Sequence, residues 1–115
     1  STNVIYWRPP GNRTPTPAEQ AVCQPFLERA IQLVNPKMLL LVGGASAKSV
    51  LGREEGILSM RGRWFEWNGE ASGLTLPALP TLHPAFLLRQ PAAKKKAWQD
   101  LLMLTERLDR PVRPE

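Results

Sequence analysis

Two residue types that often carry chemistry are nearly missing from this chain of 115 residues, which has one cysteine, Cys23, and one histidine, His83. A single thiol excludes an intrachain disulfide framework and any self-contained multi-cysteine metal site. A lone cysteine of this kind reads first as a small buried hydrophobe. No apolar run approaches the roughly 20 residues that span a bilayer. The longest, Met38 to Val42, suits a buried strand, and no membrane partner is expected. The start of the chain lacks the charged-then-apolar pattern of a secretory leader, so the expected compartment is the cytoplasm. Ser1-Thr2-Asn3-Val4-Ile5 enters directly into strand-like sequence, as if continuing a longer chain. No internal repeat or low-complexity tract is visible.

The composition is that of a globular domain, with 43% hydrophobic and 22% charged residues. Fifteen Lys and Arg against ten Asp and Glu leave a net charge of +5, a balance that favours a polyanionic partner.

Asn3 to Trp7 is β-branched and aromatic, hence a strand. It runs into a loop, Arg8 to Pro15, whose successive prolines exclude helix and central strand. Thr16-Pro17-Ala18-Glu19 has the pattern of a helix N-terminus, with Thr16 as cap and Glu19 closing a capping box. The helix that follows places Phe26, Leu27, Ala30, Ile31 and Val34 at core spacing, and Pro25 predicts a kink or a break. Lys37 to Val42 predicts a strand buried on both faces, ended by Gly43-Gly44 and followed by a helix from Ala45 to Leu51. Gly56 to Asn68 predicts a small hairpin or irregular strand. Leu74 to Leu82, punctuated by Pro77 and Pro80, predicts an extended strand leading into His83-Pro84. From Pro91 the chain turns helical, with Ala92, Trp98, Leu101, Leu102 and Leu108 as packing positions, and residues 109–115 predict a frayed tail. Alternating strands and helices imply an α/β layer with a mostly parallel sheet, thin enough that something else completes it.

His83 falls where a strand ends and a helix begins, at the carboxyl edge where open α/β sheets bind ligands. Two readings stand: a histidine hydrogen-bonded within its turn, or an imidazole facing a developing negative charge. Arg89 and Lys94 begin a basic stretch that is either a solvated face or a contact to DNA phosphates. Phe86, Leu87 and Leu88 are either core or the wedge that fills the gap left by an extruded base. Arg8, Asn12 and Arg13 surround a rigid turn on the same edge, which is either structural or a contact to DNA. Asn3 carries the donor and acceptor needed to pair with an imide edge such as uracil's.

Taken together these residues resemble the second half of the iron-sulfur class of uracil-DNA glycosylases, family 4. Asn3-Val-Ile-Tyr-Trp-Arg-Pro-Pro-Gly-Asn-Arg13 is similar to that family's Asn-Val-Val-Lys-Cys-Arg-Pro-Pro-Gly-Asn-Arg segment. Cys23-Gln-Pro-Phe-Leu-Glu-Arg29 resembles its next helix. Leu82-His-Pro-Ala-Phe-Leu-Leu-Arg-Gln-Pro91, with Trp98 beyond, resembles its second active-site motif and C-terminal helix. The resemblance implies a three-layer α/β/α sandwich, of which residues 1–115 form the C-terminal portion and an N-terminal half of the same fold is missing. It implies a base-excision repair hydrolase that flips uracil from DNA and cleaves its N-glycosidic bond. In that scheme Asn3 binds the base and His83 stabilises its negative charge. Pro84, Ala85, Phe86, Leu87, Leu88 and Arg89 support the opened duplex, and uracil-containing DNA is the partner.

The sequence departs from the family in two ways. The family holds a four-iron cluster on four cysteines, two of them in this half; Cys23 matches one, but Trp7 stands in place of the other, so no cofactor is expected. The family's first motif, a loop with the water-positioning residue, is absent, so the chain alone is not expected to complete hydrolysis. A DNA-binding relative without catalysis, or one of altered base specificity, is the alternative.

Overall fold

The computed structural model describes residues 4–8 and 15–109. Strand β1 (Val4–Trp7) is followed by helix α1 (Pro17–Val34), β2 (Met38–Val42), α2 (Gly44–Leu51), α3 (Ile57–Met60), β3 (Phe65–Asn68), β4 (Thr75–Thr81), α4 (Pro84–Arg89) and α5 (Lys94–Asp109). A short 3₁₀ turn, Pro91–Ala93, leads into α5. The capping box predicted for α1 is present: Thr16 Oγ1 accepts from the Glu19 amide, and Glu19 Oε1 accepts from the Thr16 amide. The helix runs as one element through Pro25 and ends at Asn35, which takes a left-handed conformation and donates to the Ile31 carbonyl.

The sheet is four-stranded and open, in the order β1-β2-β4-β3. β1, β2 and β4 are mutually parallel, and β3 pairs antiparallel with β4, Phe65 opposite Ala78. Successive side chains of a strand point to opposite faces, and β2 shows what each face holds. Leu39 and Leu41 join Leu27 and Ile31 of α1, Ala47 of α2, Met60 of α3 and Trp67 of β3. Met38 and Leu40 turn the other way and join Val4, Leu79 and Leu104 of α5. The result is three layers, α/β/α, with β2 buried on both faces as predicted.

Several packing expectations are corrected. In the Gly56–Asn68 stretch, α3 precedes β3, and the hairpin is the one β3 makes with β4. On α1, Phe26 is 71% exposed and Val34 is also turned outward, leaving Leu27 and Ile31 inside. The helix is rotated because Glu28 is buried too: its Oε1 accepts from the amides of Ala71 and Ser72 and from the Ser72 hydroxyl, clamping the β3–β4 turn. Along the 3₁₀ turn and α5, Ala92, Trp98, Leu101 and Leu102 face solvent, and the buried line is Ala93, Ala97, Asp100 and Leu104, with Leu108 half-buried. The small alanines let α5 approach the sheet, and an aspartate, not an aliphatic residue, fixes its rotation. Of the expected tail, Asp109 closes α5 and residues 110–115 lie outside the described residues.

Asp100 is fully buried. Its Oδ1 accepts from Arg61 Nη2 at 2.6 Å, and its Oδ2 accepts from Arg61 Nε at 3.1 Å and from the Thr81 hydroxyl at 2.9 Å. The carboxylate fits only because its neighbour is glycine: a β-carbon on Gly62, where φ is +72°, would sit 2.7 Å from Asp100 Oδ1. Gly62→Ala should therefore cost at least about 2 kcal/mol, combining left-handed strain with a clash against a buried charge. Gly52, also left-handed, has nothing within 4 Å of such a carbon. Gly52→Ala should cost only about 1 kcal/mol, and urea titration of the two variants checks the difference.

Candidate functional site

Because β1, β2 and β4 run in the same direction, their carboxyl ends meet along one edge. Arg8 follows β1, Gly43 follows β2, and Leu82-His83 follow β4. Three hydrogen bonds fasten these tips together. The Ser46 hydroxyl at the start of α2 donates to the Trp7 carbonyl at 2.8 Å. The Gly43 amide donates to the Thr81 carbonyl at 2.9 Å. Arg8 Nη1 lies 3.0 Å from His83 Nε2.

His83 is half-buried, not sealed in the core. Its carbonyl accepts from the Phe86 amide, which opens the first turn of α4. The ring packs along the backbone of Gly43: a β-carbon there would meet His83 Cβ at 3.4 Å and Cδ2 at 3.7 Å, and Gly43 has φ +89°. A guanidinium has donors and no acceptor. The Arg8 bond therefore runs from arginine to imidazole, Nε2 supplies the lone pair, and the neutral ring carries its proton on Nδ1. The ring bonds to Arg8 beyond the tip of β1, and the bond within the turn is made by the His83 carbonyl.

In α4, Phe86 and Leu87 are half-buried, whereas Leu88 is 80% exposed and Arg89 is exposed beside it. Lys94, at the start of α5, is exposed as well. Of the other predicted site residues, Asn3, Asn12 and Arg13 lie outside the described residues, as do the side chains of Pro84 and Ala85. The structure thus brings Arg8 and His83 together across 75 residues of sequence. Sequence reasoning missed Gly43 as the wall behind His83, although the Gly43-Gly44 pair was visible as a strand end. It also missed Thr81, Arg61 and Asp100, for which an aspartate after three lysines on an amphipathic helix gives no signal.

A family profile, Uracil DNA glycosylase superfamily, matches residues 1–102. The chain belongs to the uracil-DNA glycosylase superfamily. It is 39% identical over 88 residues to a Type-4 uracil-DNA glycosylase of Thermotoga maritima, covering 76% of this chain and 43% of the relative. It is 34% identical over 106 residues to a Type-4 uracil-DNA glycosylase of Pyrobaculum aerophilum, covering 89% and 53%. A DNA polymerase of Bacillus phage SP01 is 27% identical over 108 residues, 94% of this chain and 11% of that protein. The chain spans about half the length of the Type-4 relatives it matches.

The iron-sulfur cluster of the superfamily's family-4 class can be tested against the residues present. Trp7 and Cys23 line one cleft together with Gln20, Gln24 and Ser49. Cys23 is the chain's one sulfur donor apart from methionines. An indole nitrogen only donates hydrogen bonds and cannot ligate iron. Among the described residues no group of three or more His, Cys, Asp or Glu could hold a metal ion. The donor set does not fit a four-cysteine cluster.

The Arg8 contact makes a spectroscopic prediction. At a pH where the ring is neutral, ¹⁵N-edited imidazole spectra should show His83 protonated on Nδ1, and Arg8→Ala should move the proton toward Nε2, the form an uncomplexed imidazole favours. Identical spectra for the two proteins would contradict the contact.

Proposed function

We propose that the protein carrying this chain is a DNA-repair glycosylase that extrudes uracil from DNA and hydrolyses its N-glycosidic bond. The observation that carries this reading is the Arg8–His83 pair at the tips of the parallel strands. When the bond between uracil N1 and the sugar C1′ breaks, the electron pair leaves with the base, and a water oxygen bonds to C1′ and gives up a proton that balances the uracil anion. Catalysis consists of favouring the negative charge that appears on the base only as the bond lengthens. A guanidinium hydrogen-bonded to a half-buried imidazole makes the strand edge electropositive where that anion would sit. The group that positions water belongs to sequence outside this chain.

The α4 exposures refine the wedge. Phe86 and Leu87 are partly taken up by the protein, so Leu88 is the apolar side chain available to replace an extruded base, with Arg89 next in sequence and Lys94 at the start of α5 for phosphates. The names of the Type-4 relatives support uracil as the base.

In the full-length protein, His83→Ala should slow single-turnover uracil release by about 10²–10³-fold while leaving the fold intact; release at the wild-type rate would overturn the assignment. Leu88→Ala should slow release from duplex DNA by about tenfold or more and leave release from single strands nearly unchanged, because only the duplex must be unstacked. Cleavage of a uracil-containing oligonucleotide after hot alkali reads both. A second reading, binding without cleavage, draws on Trp7 at a cluster-ligand position; a gel shift with no alkali-labile product would favour it.

A further inference from the structure

We propose that Asp100 is a positioning residue for His83, acting through the Thr81 hydroxyl and the tip of β4; this rests on His83 being the charge-stabilising group. Asp100 does not touch the site. It lies on the sheet-facing side of α5, and nothing about uracil chemistry calls for it. Its carboxylate is nonetheless fully buried, both oxygens are occupied, and a glycine at position 62 leaves the space it fills. Burying an ion pair does little for stability compared with an apolar pair of similar volume. What such a pair does supply is direction.

That direction reaches the site by a short route. Thr81, which donates to Asp100 Oδ2, is the last residue of β4. Its carbonyl holds the Gly43 amide, and Gly43 is the backbone against which the His83 ring packs. His83 itself lies two residues beyond Thr81. On the other side, Arg61 also reaches the Lys96 carbonyl, and the Gly62 amide donates to the Pro80 carbonyl, so the end of β4 is held at consecutive residues. If the Thr81 hydroxyl is lost, the last turn of strand before His83 is free to rotate against Gly43. The imidazole then meets the departing base at the wrong angle.

The test uses Thr81→Val, which removes the hydroxyl while keeping the volume, in the full-length protein. Single-turnover uracil release should fall by about 10- to 100-fold, the cost of a misplacement near 1 Å. Affinity for uracil-containing duplex should change by no more than about twofold. Thr81→Ser should restore the rate, and Asp100→Asn should slow release in the same way. In a His83→Ala background Thr81→Val should cost nothing further, because both act through one imidazole. A folded Thr81→Val enzyme with wild-type rate, or a loss that multiplies with that of His83→Ala, would overturn the proposal. If His83→Ala is itself harmless, the charge-stabilising reading fails and this proposal with it. The physical link is then judged separately by the His83 ring resonances: they should shift in Thr81→Val, and superimposable spectra would show that no such link exists.

Discussion

A carboxylate withdrawn wholly from water must be answered on both oxygens or the fold does not hold, and at Asp100 the answer comes from two other elements. Arg61, at the end of α3, supplies two donors, and Thr81, at the end of β4, supplies the third. Three segments far apart in sequence are thereby fixed at one point, and α5 receives its rotation. The line Ala93, Ala97, Asp100, Leu104 faces the sheet because Asp100 must. Trp98, Leu101 and Leu102 are left outside although their hydrophobicity alone would place them within.

β4 needs such fastening more than its neighbours. It lies in the interior of the sheet, between β2 and β3, yet contains Pro77 and Pro80, neither of which can donate to the ladder. The two prolines are three residues apart, so one missing donor points toward each neighbouring strand. The strand is compensated at its ends. Before it, Glu28 of α1 gathers the amides of Ala71 and Ser72 and fixes the turn from β3. After it, Asp100 holds Thr81. Two buried carboxylates, one from each helical layer, thus secure the strand that delivers His83 to the carboxyl edge.

The layer architecture was legible because period-two and period-three-to-four patterns report directly on strand and helix. The run Met38 to Val42 could be nothing but a strand with two apolar faces, and Thr16 through Glu19 announced the start of α1. The position of His83 at a strand–helix junction was equally plain. The rotation of the helices was not, because it is set by polar residues whose partners lie more than 35 positions away, Glu28 with Ala71 and Ser72, and Asp100 with Arg61. Hydrophobic spacing sees only the helix's own side chains. Phe26 and Trp98 therefore looked like core, and nothing in the spacing singled out Asp100.

Trp7 holds the tip of β1 through both its backbone and its ring. Its carbonyl holds the Ser46 hydroxyl, a backbone contact that does not depend on the side chain. Its indole points with Ile5 toward the face that α1 and α2 cover, where it packs against the core and lines the cleft with Cys23. An aromatic ring in that place fastens β1 to the helical layer by burial, at about 25 cal/mol per Å² of apolar surface removed from water. That packing keeps the carboxyl end of β1 seated beside those of β2 and β4, where Arg8 reaches His83.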